Sequence, residues 1–393
     1  MKGNTKAIAL SIAAIFALSI FAMGAMAAKP APSPPPYVEP TGNLVITSGP
    51  QLVLTTGGYV RLYDWVNGKF SHTWSAASGN MATIGDVDND GTKEVVSKIL
   101  VATQVSKKVT TYKNYIRVWN NGDPSNSPSI IVESTNPSSC SMEIGDVDQD
   151  GKNELVISGT DDYGSAEVWS CTASTCTKKA TIPNLGYNGI TVADADSDGY
   201  PEIIMGAGTG AYSQQPVIAD YNNGAYSVTA LPMSTKCSLD ELSVGNIDNV
   251  AGNEIFGSGY CNGNLFVWKY ANGAYSQVWN KQIGNCFDMS NEIADINGDG
   301  SNEIAFTEYC PYTDGSNTLR VYGYDGNGGW SQLGAYAGSH GNHADVMVSA
   351  DVDGDGAKEL VVQNQVWDWD GSAMKNIQEL ALINNQMMDS SLA

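Results

Sequence analysis

Positive charge is scarce in this chain. Its 393 residues hold 20 Lys and Arg against 42 Asp and Glu, a formal net charge of −22. With no basic stripe to override that balance, a phosphate backbone would be repelled, which excludes nucleic acid as a partner. Histidine is rarer still, with three residues: His72, His340 and His343. No HExxH, GxSxG or Gly-rich phosphate loop occurs, so the common zinc-protease, hydrolase and nucleotide-binding signatures are missing. Beyond residue 28 there is no long hydrophobic run and no stretch that reads as a helix.

The N-terminus does hold an apolar run, Ala7 to Ala28, preceded by Lys2 and Lys6 and containing Ala25-Met26-Ala27. Residues 1–28 therefore read as a secretory signal or, left uncleaved, a membrane anchor long enough to span a bilayer. Either places the rest of the chain outside the cytoplasm. Residues 29–42 open with KPAPSPPPYVEP, six prolines in twelve residues, a stiff extended linker. The folded domain is expected over 43–385, with a tail at 386–393.

An excess of acid strains a compact fold unless cations neutralise it, so the location of the acids matters. One motif recurs six times: DVDNDGTKE from Asp86, DVDQDGKNE from Asp146, DADSDGYPE from Asp194, NIDNVAGNE from Asn246, DINGDGSNE from Asp295 and DVDGDGAKE from Asp351. Starts are 60, 48, 52, 49 and 56 residues apart. Each copy lies between two short apolar segments, such as MATIG before and EVVS after, which read as strands. A third, aromatic-rich segment then enters a turn, as in YDWVNGKF, ADYNNGAY and VYGYDGNGGW. Asn-Gly or Asp-Gly between β-rich flanks signals a hairpin. Each unit thus has four strands, with the acidic loop between the first and second. Counting hairpins gives seven units, the first at roughly 44–80 lacking an acidic loop. Radial repetition of this kind predicts an all-β, seven-bladed β-propeller.

In DxDxDGxxE, positions 1, 3, 5 and 9 carry side-chain oxygens, and position 7 can add its carbonyl. Alternate residues of a tight loop can converge on one point, and hard Ca²⁺ takes six to eight oxygens. The first loop offers Asp86, Asp88, Asp90, Thr92 and Glu94. The second offers Asp146, Asp148, Asp150, Lys152 and Glu154, and the third Asp194, Asp196, Asp198, Tyr200 and Glu202. The fifth has Asp295, Asn297, Asp299, Ser301 and Glu303, and the sixth Asp351, Asp353, Asp355, Ala357 and Glu359. The fourth is weaker: Asn246, Asp248 and Glu254 remain, Val250 holds position 5, and Asn249 or a carbonyl would have to fill in. Five or six structural Ca²⁺ are expected, each holding the hairpin of its own blade.

These motifs resemble the FG-GAP/VCBS repeats of the integrin α-subunit head and its microbial relatives, over about residues 44–383. The resemblance implies calcium on one propeller face and ligand on the other. Six acidic loops exceed the integrin number, and no integrin leg or tail is recognisable, so only the module is implied.

Seven cysteines in an exported chain suggest disulfides. Cys237 and Cys261 lie nine before and fifteen after Asn246, and Cys286 and Cys310 bear the same offsets to Asp295. Antiparallel pairing of the first two strands then predicts Cys237–Cys261 and Cys286–Cys310. Cys171 and Cys176 flank a hairpin turn and can close it, which leaves Cys140 over. On the face away from the acidic loops, Tyr163, Tyr187, Tyr212, Tyr260, Phe287, Tyr309, Tyr312 and His340 suit stacking on a sugar or a protein hot spot, and equally suit blade packing. A long insertion is expected at about Lys98–Asn114. A non-enzymatic binding or adhesion module for an extracellular protein or glycan is the leading expectation. A carbohydrate-active enzyme such as a polysaccharide lyase, or a structural cell-envelope component, stands beside it.

Overall fold

The computed structural model describes residues 44–47, 49–56, 58–77, 81–106, 109–122, 129–134, 141–160, 164–186, 189–207, 214–234, 236–239, 241–259, 263–284, 287–310, 317–337, 347–380 and 387–392. These form seven four-stranded antiparallel sheets, the blades of a propeller. Blade 2 comprises β4 (Met81–Gly85), β5 (Glu94–Ser106), β6 (Val109–Trp119) and β7 (Ser129–Ser134); blade 3 comprises β8 (Met142–Gly145), β9 (Glu154–Ile157), β10 (Ala166–Thr172) and β11 (Thr175–Ile182). In blade 4 the strands are β12 (Ile190–Ala193), β13 (Glu202–Met205), β14 (Val217–Asn222) and β15 (Ala225–Ala230). Blade 5 holds β16 (Glu241–Gly245), β17 (Glu254–Ser258), β18 (Asn264–Ala271) and β19 (Ala274–Gln282). Blade 6 holds β20 (Phe287–Ala294), β21 (Glu303–Tyr309), β22 (Asn317–Tyr324) and β23 (Trp330–Ala337), and blade 7 holds β24 (Met347–Ala350), β25 (Glu359–Val362), β26 (Gln365–Trp369) and β27 (Met374–Glu379).

Blade 1 differs from the other six. Its own segment gives only β1 (Gln51–Thr56), β2 (Tyr59–Trp65) and β3 (Phe70–Ala77), and β28 (Met387–Leu392) pairs antiparallel with β1 to complete it. The segment expected as a tail is therefore the strand that closes the ring. The first strands β4, β8, β12, β16, β20, β24 and β28 each pack beside the next, and β28 returns to β4. At the seam, Gln378 of blade 7 accepts from the Phe70 amide at 2.7 Å and donates to the Phe70 carbonyl at 2.8 Å. The expected insertion at Lys98–Asn114 is no loop: β5 and β6 simply run on as a long antiparallel pair.

Burial follows strand position. The second strands ELVI, EIIM and ELVV are buried at every residue, because neighbouring blades cover both faces, and such strands need unbroken apolar sequence. The outermost strand of blade 5, AYSQVWNKQ, alternates between exposed and half-buried, as expected with one face in water. Blades meet closely at the end of the first strand. A Cβ on Gly145 would lie 2.6 Å from Val192 Cγ1, and one on Gly245 2.7 Å from Ile293 Cγ2, so glycine there admits the branched side chain of the next blade.

Candidate metal centres

All six acidic motifs connect a first strand to a second strand, on the face that also carries the hairpins between third and fourth strands. Their backbones share one plan. Position 4 is left-handed throughout, at Asn89, Gln149, Ser197, Asn249, Gly298 and Gly354; Asn and Gly tolerate that region best. The position-1 aspartate braces the turn. In the first loop Asp86 accepts from the amides of Asp90 (3.1 Å) and Gly91 (3.0 Å), and Asp146, Asp194 and Asp295 repeat both bonds. The closing glutamate opens the second strand and is buried in every copy. In five copies one of its oxygens accepts from the position-2 amide: Val87 to Glu94 at 3.1 Å, Ala195 to Glu202 at 2.7 Å, Ile247 to Glu254 at 2.9 Å, Ile296 to Glu303 at 3.0 Å and Val352 to Glu359 at 2.7 Å; in blade 3 the Val147 amide donates to the Gly145 carbonyl instead, at 3.0 Å.

The remaining oxygens converge. Asp194, Asp196, Asp198 and Glu202 bring carboxylate oxygens within 4.8 Å of one another, as do Asp86, Asp88 and Asp90, Asp146, Asp148 and Glu154, and Asp351, Asp353 and Asp355. Burial, reinforced by Asp88, Asp90 and Asp86, pushes the Glu94 carboxyl up to about 8. Burial likewise pushes Glu202 to about 8 and Glu359 to about 7, with neighbouring aspartates adding to it. Glu359 Oε1 is buried with no hydrogen-bond partner. Like charges gathered around an unpartnered buried oxygen have the electrostatics of a cation site, and these clusters can hold metal ions.

Two loops differ. In blade 3, Lys179 ion-pairs with Asp148, Asp150 and Glu154, and in blade 5 Lys269 ion-pairs with Asp248 and Glu254. Asn249, expected to help fill the blade-5 loop, instead donates to Ser301 Oγ of blade 6 at 3.1 Å. In blade 6, Asn297 donates to Glu303 Oε1 at 3.0 Å, turning its NH₂ group toward the loop centre.

Each loop also serves its neighbour, where one loop was expected to serve one blade. The position-2 residues Val87, Val147, Ala195, Ile247, Ile296 and Val352 are buried. Each packs with the residue that follows the hairpin turn of the next blade. The partners are Tyr226 for Val147, Tyr275 for Ala195, Trp330 for Ile247, Met374 for Ile296 and Phe70 for Val352. Opposite Val87 stands the Cys171–Cys176 disulfide, which closes the blade-3 hairpin as its spacing suggested. Position-8 asparagines add polar ties to the preceding loop: Asn153 to the Asp86 carbonyl (2.8 Å), Asn253 to Asp194 (2.7 Å) and Asn302 to Asn246 (2.9 Å).

Cys237 and Cys310 are disulfide-bonded; their expected partners Cys261 and Cys286 lie outside the described residues, as does Cys140. The same holds for Tyr163, Tyr187, Tyr212, Tyr260, Tyr312 and His340, and for the side chain of Phe287. Tyr309 alone of the expected ligand face is described, half-buried at the end of β21.

Residues 295–362, from the blade-6 loop to the end of β25, match the FG-GAP-like repeat. No curated protein matches the sequence. Among solved structures, the periplasmic gluconolactonase of Pseudomonas aeruginosa aligns at TM-score 0.59 and 12% identity over 87% of this chain and 98% of its own. A Bacteroides fragilis protein named as a candidate 6-phosphogluconolactonase aligns at 0.59 and 12%, over 88% and 98%. A Desulfotomaculum acetoxidans protein of unknown function aligns at 0.55 and 11%, over 88% and 98%. At such identities the likeness is one of fold. Six copies of the acidic motif stand in register on a closed seven-bladed ring, and the FG-GAP-like repeat that residues 295–362 match supports an FG-GAP-repeat β-propeller.

Proposed function

We propose that this protein is an exported calcium-binding propeller that presents the face opposite its acidic loops to an extracellular protein or glycan, as a binding or adhesion module. The observation that carries this reading is the concentration of acid on one face, in loops that tie each blade to the next. Calcium suits the donor set, which is all oxygen, flexible and multiply charged. Asp86, Asp88, Asp90 and Glu94 would hold one ion, Asp194, Asp196, Asp198 and Glu202 another, and Asp351, Asp353, Asp355 and Glu359 a third. Blade 6 would join them once Asn297 turned its carbonyl inward. When bound, calcium supplies positive charge to loops whose carboxylates otherwise repel. The protein side of the arrangement is rigidity: each loop presses its position-2 residue onto the next blade.

Binding of the full chain to a panel of glycans and extracellular proteins, with calcium and with chelator, tests the proposal. Calcium-dependent retention of one ligand class supports it, and no retention on any surface counts against it. A second reading is a carbohydrate-active enzyme, favoured by the lactonase names among propellers of this fold. Turnover on lactones and acidic polysaccharides would support that alternative.

A further inference from the structure

Each acidic loop is faced by side chains from the outer strands of its own blade, and their charge differs from blade to blade. In blade 5, Lys269 of β18 stands opposite Glu254 in the strand register. Its Nζ lies 2.9 Å from Asp248 Oδ2 and against Glu254 Oε1. Those are the two carboxylates that this loop retains. In blade 3, Lys179 of β11 sits at the bulge where Val168 pairs with Ala180 and Trp169 with Lys178. Its Nζ contacts Asp148 Oδ2, lies 2.8 Å from Asp150 Oδ2 and 3.2 Å from Glu154 Oε1. Three of the four carboxylates of that loop therefore converge on one ammonium.

In two of the four blades whose loops meet no lysine, the sign is reversed. The third-strand residue beside the loop glutamate, one place beyond the Ile203–Ala219 and Leu360–Trp367 pairs, is Asp220 in blade 4 and Asp368 in blade 7. Asp368 Oδ1 is buried without a hydrogen-bond partner, as are Asp148 Oδ1 and Glu154 Oε2 in the blade-3 loop. Among the described residues, no Lys or Arg forms an ion pair with the loops of blades 2, 4, 6 and 7.

We propose that Lys179 and Lys269 are built-in cations that take the place of a metal ion in blades 3 and 5, so that these two loops keep their shape without calcium. The inference rests on the calcium reading of the other loops. An ammonium with three donors can satisfy two or three carboxylates at hydrogen-bond distance, and a divalent ion placed within the same oxygens would meet its charge at short range. The chain thus combines metal-dependent and metal-independent ties around one ring, and calcium withdrawal would loosen blades 2, 4 and 7 while blades 3 and 5 hold.

The test is the calcium content of the dialysed full-length protein and its variants, by elemental analysis. Lys179→Met uncovers Asp146, Asp148, Asp150 and Glu154, a complete donor set, and should gain one ion per chain over wild type. Lys179→Arg keeps a cation and should gain none. Lys269→Met uncovers only Asp248 and Glu254 beside Asn246 and should also gain none. Circular dichroism establishes that each variant folds, and Lys179→Met should melt below wild type in chelator and recover with calcium. Calcium in the wild type with no gain in a folded Lys179→Met overturns the assignment of the lysine alone. No calcium in either protein overturns the calcium reading as well.

Discussion

Replacing Trp330 with alanine probes the tie between blades 5 and 6. The Trp330 side chain is 5% exposed and packs in one cluster with Ile247, Phe256, Leu265 and Phe306. Its ring lies edge-on to Trp279 with centroids 5.4 Å apart, and its Nε1 donates to the Ile247 carbonyl at 3.0 Å. Truncating a buried tryptophan costs ~3–5 kcal/mol, cavity included, and leaving a buried carbonyl unpaired adds ~1 kcal/mol or more. The folded unit spans residues 40–393, for which unfolding entropy is about 0.7 kcal/mol/K at ~2 cal/mol/K per residue. A loss of about 4–6 kcal/mol therefore lowers Tm by roughly 6–9 °C. Trp330→Phe keeps most of the packing and should lose only about 2–3 °C. Because the blade-5 loop is held by Lys269, both drops should persist in chelator. Differential scanning calorimetry of the three proteins is the assay. A Trp330→Ala protein melting within about 1 °C of wild type would refute the claim that this side chain joins the two blades.

Gly245→Ala should destabilise by ~1–3 kcal/mol through overpacking, since the new Cβ would meet Ile293 Cγ2 at 2.7 Å; urea unfolding measures it. Replacing both Cys171 and Cys176 by serine opens a short loop, for which chain entropy predicts a loss of ~2 kcal/mol, read as a Tm drop against the oxidised protein. Burial pushes the Glu292 carboxyl up to about 7, although Ser349 Oγ donates to it at 2.8 Å. A carboxylate with a raised folded pKa favours folding fully below about pH 4.5 and progressively less as pH rises through about 7. Glu292→Gln should therefore flatten the fall in Tm between about pH 5 and 8, and an unchanged slope in calcium-loaded protein would contradict that role.

The repeat was legible because its signals are local. Asp, Asn and Gly at fixed offsets mark the acidic loops, and Asn-Gly turns between aromatic strands mark the hairpins, so blade number follows from counting. What escaped was set by contacts distant in sequence. Nothing in MMDSSL announces that β28 completes a sheet begun at Gln51, since that pairing joins opposite ends of the folded unit. Lys179 lies 25 residues beyond Glu154, on an outer strand at the bulge between the Val168–Ala180 and Trp169–Lys178 pairs, and nothing in TCTKKATI sets it apart from Lys178. The apolar residue at position 2 has no role within its own loop, and its reason is the blade that covers it. A signal did exist: every hairpin from blade 4 onward is followed by Tyr, Trp or Met, and the blade-1 hairpin by Phe, at the same place after the turn.

Thermal unfolding of the full-length chain in calcium and in chelator, with bound calcium counted by elemental analysis, tests the central claim most directly. Each site at a hundredfold excess over its Kd contributes about 2.7 kcal/mol. Three occupied loops then contribute about 8 kcal/mol, or roughly 11 °C in Tm. Retained calcium with a rise of that order is the predicted result. A protein that retains no calcium and melts at the same temperature in both buffers would contradict the account, leaving the acidic loops as exposed surface held by the fold alone.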